Sequence, residues 1–297
     1  MKKTTLTTFL FILFFYCQTA VPFKEIPSDF VYSIKQHSDS IYYSTNSGEI
    51  YRFQEENVGQ PMMVGLKKNH PIRSIVFLND SSLFACSYRS GLYRVGNDTL
   101  NTHPAWYQPA WSMKTGPNGN IWLAGRNGIY KQCGDTFVQF SDMKEAFDLA
   151  FYKGELAVAH YNGISFFNMN SGILKRTICK DTVCWMTTTV NDSLLICGGV
   201  ECCVIICGDT IKKVKLGPEN NIPWACAVDS SHSIFLATEK GLYQIQESDK
   251  KSRCIGYYKR CIKSVFIDNK GTLWVGRYFK GGSRHYKFEV LKTTSFH

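Results

Sequence analysis

Runs of four mostly apolar residues recur along this chain, each ending on a small residue. They are Ile41-Tyr42-Tyr43-Ser44, Leu83-Phe84-Ala85-Cys86, Ile121-Trp122-Leu123-Ala124, Leu156-Ala157-Val158-Ala159, Leu194-Leu195-Ile196-Cys197, Ile234-Phe235-Leu236-Ala237 and Leu273-Trp274-Val275-Gly276. A run apolar on both faces reads as a strand buried between two sheets. The constant small fourth residue predicts that a neighbouring sheet comes close at that level.

Two further columns keep step with these tetrads. A few residues after each comes a glycine-type slot leading into a Tyr-bearing strand, as in Ser90-Gly91-Leu92-Tyr93 and Lys240-Gly241-Leu242-Tyr243. The slots are Gly48, Gly91, Gly128, Gly163, Cys202, Gly241 and Gly282, spaced 35 to 43 residues apart. Before each tetrad lies the column Val31, Arg73, Trp111, Phe147, Trp185, Trp224 and Lys263, which opens another apolar strand. Turn residues such as Asn79-Asp80 and Asn118-Gly119 separate these two strands, and Cys133-Gly134-Asp135-Thr136 marks a later hairpin. Four short antiparallel strands per repeat predict an all-β fold, a seven-bladed β-propeller of four-stranded antiparallel blades. Blade starts fall near residues 30, 72, 110, 146, 183, 223 and 262 of a single ring over 21–297. The outer strand of the last blade comes either from Val290–Phe296 or, locking the ring, from Val21–Ile26.

The first 20 residues have the form of a signal peptide: Lys2 and Lys3, an apolar stretch from Phe9 to Tyr16, and a cut near Thr19 or Ala20. That stretch is too short to span a bilayer. Phe14, Phe15 and Tyr16 are too bulky for a lipobox and argue against a lipid anchor at Cys17. The expectation is a secreted or periplasmic protein with no membrane span. Removal of the segment lowers the formal charge from +10 to +8.

The unit Asn118-Gly119-Asn120-Ile121-Trp122-Leu123-Ala124-Gly125 followed by Gly128-Ile129-Tyr130 resembles the two-component regulator propeller repeat. So do Lys270-Gly271-Thr272-Leu273-Trp274-Val275-Gly276 and the lead-ins Ile72-Arg73-Ser74-Ile75 and Ala110-Trp111-Ser112-Met113. The resemblance implies an extracytoplasmic sensor ring and supplies no catalytic residue. With one ring, the chain is expected to be a free-standing relative that cannot signal across a membrane by itself.

Chain connectivity places the start of each first strand and the loop between second and third strands on one face. The aromatic and basic column, with Arg89, Arg126, His160 and Arg277 from those loops, therefore predicts a ligand site around one channel mouth. Tyr88, Tyr161, Tyr278 and Lys280 lie in the same loops. Aromatic faces stack sugar rings or bases, and the cations hold anionic groups. The competing reading is that the Trp column only packs the inner ends of blades. The expected partner is a glycan, an anionic small ligand or a protein. Export and the lack of a Lys/Arg-dense motif argue against nucleic acid.

No C-x-x-C occurs among the 12 Cys, and no two of the 7 His are spaced as metal ligands, so neither a metal nor a cofactor is expected. Cys179 with Cys184 and Cys254 with Cys261 bracket turns and are the local disulfide candidates. The alternative function is a propeller enzyme of the lyase or lactonase kind. Such an enzyme needs acids, amides or His converging in the channel. The column has no carboxylate, although Asp29 and Asp148 lie beside it, and no catalytic residue is assigned.

Overall fold

The computed structural model describes residues 26–27, 30–54, 62–66, 69–78, 81–96, 99–102, 108–190, 192–246, 252–256, 260–277 and 287–291. The expected signal segment 1–20 lies outside these residues. The described residues form seven four-stranded antiparallel sheets. Six are runs of four consecutive strands. The other joins Ile262–Ile267, Leu273–Arg277 and Lys287–Leu291 to the N-terminal Ile26–Pro27, with Ile26 opposite Phe288. Of the two expected closing segments, the N-terminal one reaches this outermost position with Ile26, followed by Pro27, while residues 21–25 and 292–297 lie outside the described residues. Among the described residues no helix is long and apolar enough to cross a membrane.

The sheets pack face to face, and their inner strands follow one another around a central channel. Ile262–Ile267 packs on Val31–His37, so the last sheet meets the first. Ser264 Oγ donates to Val31 O at 2.9 Å, and Asn269 N donates to Gln36 Oε1 at 2.8 Å. The architecture is thus a β-propeller of four-stranded antiparallel blades. The small residue ending each tetrad is explained by this packing. Ser44, Cys86, Ala124, Ala159, Cys197 and Ala237 are fully buried, and a Cβ on Gly276 would run into Val31 and Ser264.

The glycine slot is a conformational requirement. Gly91 and Gly163 both have φ of 100°, a value that side-chain-bearing residues rarely adopt. In the fifth repeat, where Cys202 takes the slot, the preceding Glu201 adopts φ 62° instead.

Every first strand carries a β-bulge after its first residue. The pairing skips Tyr32, Arg73, Trp111, Phe147, Trp185, Trp224 and Lys263. A bulged residue is released from the ladder and its side chain is re-aimed. The bulges therefore create the channel mouth.

At the opposite end, Asp268 organises the turn before Leu273–Arg277. Its Oδ1 accepts from Lys270 N and Thr272 N at 2.9 and 2.8 Å, and its Oδ2 accepts from Trp274 Nε1 at 2.8 Å. Asp268→Ala is expected to lower stability by about 2 to 3 kcal/mol, because it orphans a buried indole N–H and two turn amides. Urea unfolding measures this, and a change within error would refute the role.

Candidate functional site

The seven bulged side chains line a channel cavity of about 510 Å³. Each sits beside the end of the neighbouring second strand, as the pairs Ile72–Ser87 and Ala110–Gly125 on their N-terminal side show. The structure corrects the first member of the column. Val31 is fully buried and paired with Thr45, and Tyr32 is the bulged residue that lines the channel.

Four aromatic rings from consecutive blades form a continuous ribbon. Trp111 stacks on Phe147 at 4.8 Å between ring centroids, and Phe147 stacks on Trp185 at 4.4 Å. Trp185 meets Trp224 at 5.4 Å, tilted by 52°. Phe147 is 8% exposed, with both ring faces covered. It supports its neighbours and is not itself a contact surface. Trp111, Trp185 and Trp224 stay partly exposed. Tyr161, 55% exposed, stands edge-on to Phe147.

A cation closes each end of the ribbon's arc. Lys263 Nζ lies 3.2 Å from the Trp224 ring centroid. Arg73 places its guanidinium 4.6 Å from the Tyr32 ring and 5.6 Å from Tyr88, which also carries Arg89 at 5.6 Å. Glu239 was missed at the sequence level. It accepts hydrogen bonds from Trp224 Nε1 at 2.9 Å, Lys263 Nζ at 3.4 Å and Cys261 Sγ at 3.3 Å. Burial works against this carboxylate. The Lys263 charge and these three bonds outweigh it and hold its pKa below the ordinary value.

The loop residues divide. Arg89 and Arg126 lie on the rim rather than in the channel lining; Arg126 pairs with Glu145 at 3.4 Å. His160 is not directed into the mouth. It is 9% exposed, with Nε2 2.9 Å from Ser165 Oγ and Nδ1 accepting from Asn162 N at 3.2 Å. Burial lowers its pKa. The side chain of Arg277, and Asp29, Tyr278 and Lys280, lie outside the described residues. Cys179, Cys184, Cys254 and Cys261 stand as free thiols. Among the described residues, no group of three or more His, Cys, Asp or Glu could hold a metal ion.

Below the mouth the channel wall mixes apolar side chains such as Ile34, Met186 and Phe266 with a polar cluster around Asp148. Asp148 Oδ1 accepts from Ser112 Oγ at 2.5 Å and Leu149 N at 2.9 Å, with Lys114 Nζ 3.3 Å away. Its Oδ2 accepts from Thr187 N at 2.9 Å. One carboxylate therefore ties together the inner strands Ala110–Thr115, Ala146–Tyr152 and Cys184–Val190. The serines continue this stitching: Ser74 Oγ donates to Met113 O, and Ser33 Oγ accepts from Ile75 N.

Lys35 also lines the channel. Burial first, and then the Lys114 charge, lower its pKa to about 8 against the pull of Asp148. The folded state loses this proton near pH 8, whereas the unfolded chain keeps it to about 10.5. The unfolded state binds more protons across that window, so stability rises with pH there. Below it the full penalty applies. Lys35→Met is therefore expected to be more stable than the wild type at neutral pH by about 1 to 2 kcal/mol, after allowance for channel water. The gap should narrow as the pH rises through 8 and beyond. Paired urea titrations across that range check it; a gap that does not change with pH would contradict the assignment.

No family model and no curated protein matches the chain. Many solved structures share its fold. The extracellular domain of the putative hybrid two-component system BT4673 from B. thetaiotaomicron is 16% identical, with a TM-score of 0.71. The match covers 92% of this chain and 40% of that one. The corresponding domain of BT3049 from the same organism is 11% identical, at TM-score 0.69, over 89% of this chain and 40% of that one. Virginiamycin B lyase from Staphylococcus aureus is 13% identical, at TM-score 0.73, over 91% of this chain and 98% of the lyase. The chain thus spans about two fifths of those two extracellular domains and nearly the whole lyase. At these identities the likeness is one of fold.

Proposed function

We propose that this chain is a non-catalytic binding or sensor ring that works outside the cytoplasm. It holds a glycan, an anionic ligand or a partner protein at the mouth built by the bulged residues. In this reading residues 1–20 are removed as a signal peptide and 21–297 form one ring. The sheet that joins both ends of the chain is its seventh blade. The observation that carries the proposal is the ribbon from Trp111 to Trp224, with Arg73 beyond one end and Lys263 at the other. Flat apolar faces beside fixed cations suit a ligand that has both a stacking ring and a negative group. The extracellular sensor domains that share the fold support a recognition role.

The second reading, a lyase or lactonase, is favoured by the virginiamycin B lyase ring of nearly the same extent. Against it, Asp148, the carboxylate among the described residues that lines the channel, and Glu239, held beside Lys263, are each engaged in several hydrogen bonds. An array of neutral glycans, acidic glycans and other polyanions tests the first reading on the processed protein. Specific saturable binding is the expected result. Turnover in a lactone and lyase screen, or a divalent ion held tightly in the channel, would replace it with the second.

A further inference from the structure

Lys35 and Lys114 occupy the same position in their strands, three residues beyond the bulged Tyr32 and Trp111. Both line the channel at the same depth, below the aromatic ribbon. Their charges face each other: Lys114 is the charged neighbour that most disfavours protonation of Lys35. Asp148 is the anion that favours the Lys35 charge, but Ser112, Leu149, Thr187 and Lys114 already occupy its oxygens. The Lys35 amine has no hydrogen-bond or ion-pair partner among the described residues. The other charged groups along the channel do not neutralise it. Arg73 and Lys263 are cations at the mouth, and Glu239 is held by Lys263. At the same depth on other strands Thr188 and Ala227 are short, and Phe266 is the bulky apolar neighbour.

We propose that the channel contains a second ligand site, separate from the aromatic mouth, where an oxyanion (sulfate-, phosphate- or carboxylate-like) binds between Lys35 and Lys114. The anion supplies the counter-charge that the wall lacks. It enters free in solution or as the acidic group of a larger ligand reaching down through the mouth. Because the pKa of unliganded Lys35 lies near 8, anion binding around that pH draws a proton onto the amine.

Sulfate is the decisive probe, since it stays fully ionised and any proton taken up belongs to the protein. Calorimetry in buffers of different ionisation heat gives both affinity and proton uptake. The wild type is expected to bind sulfate saturably and to take up about half a proton near pH 8, falling towards none near pH 6. Lys35→Met should weaken binding at least about tenfold. Lys35→Arg should keep the binding and lose the proton uptake, because guanidinium does not titrate there. Trp111→Ala with Trp224→Ala should leave sulfate affinity within about twofold. A larger acidic ligand whose anionic group reaches this site would lose affinity in both the Lys35→Met and the mouth variants. The proposal is overturned if sulfate shows no saturation, if Lys35→Met binds as tightly as the wild type, or if the mouth variant weakens sulfate as much as Lys35→Met does. Failure at the mouth with sulfate binding intact would count against the proposed mouth ligand alone.

Discussion

Asp148→Ala is expected to destabilise the protein by about 3 to 5 kcal/mol, the range for removing one partner of a buried charged network. For a ring of this size that corresponds to a fall in melting temperature of roughly 10 °C. The side chain is only 16% exposed and joins three consecutive inner strands. Its loss strands the amides of Leu149 and Thr187 and the hydroxyl of Ser112. It also takes from Lys114 its ion-pair partner and from Lys35 the anion that favours its charge. Asp148→Asn restores the shape but turns one acceptor into a donor facing an N–H group, so it should recover little. Adding Lys114→Met to Asp148→Ala should recover part of the loss, because the remaining charge repulsion goes. Urea unfolding of the four proteins decides the matter. If Asp148→Ala costs less than about 1 kcal/mol, the carboxylate is not a tether and becomes available as a functional group.

Trp111→Ala combined with Trp224→Ala is expected to leave the ring folded and to reduce affinity for the ligand selected by the binding array by about 10- to 100-fold. The two indoles stand at the ends of the ribbon and remain partly exposed, so each gives up one ring neighbour on substitution, Trp224 together with its contacts to Lys263 and Glu239. Such a contact is worth about 0.5 to 1.5 kcal/mol to the fold. Phe147, stacked on both faces, is the contrast: Phe147→Ala should cost about 3 to 5 kcal/mol in stability. Circular dichroism and the melting temperature separate loss of fold from loss of binding. Unfolding of the Trp double variant would assign the ribbon to the core and remove the proposed site.

The repeat columns carried most of the architecture because each reflects a local constraint. A tetrad buried on both faces must be apolar, and a slot with positive φ favours glycine. The column of Arg73, Trp111, Phe147, Trp185, Trp224 and Lys263 was legible for the same reason: a bulge recurs at that position in every repeat. In the first repeat the column is misplaced by one residue. Phe30, Val31 and Tyr32 are all apolar or aromatic, so hydropathy could not tell the paired residue from the bulged one. His160 shows a related ambiguity. Its place at a strand end suggested the mouth, whereas Ser165, which pairs through Thr177 Oγ1 to the outer strand, holds it inside the blade.

The sequence alone determined the strand-rich repeat, the small-residue level at which blades approach, and the aromatic and basic character of one mouth. These follow from burial and backbone conformation within each repeat. Only the tertiary structure decided that Phe147 is covered, that Glu239 bridges Trp224 and Lys263, and that Lys35, Lys114 and Asp148 line one channel. Apart from Trp224 and Glu239, those residues come from different repeats, and their meeting depends on how successive blades rotate around a common axis. A single repeat carries no record of that rotation, so the polar interior of the channel could be read only once the ring was assembled.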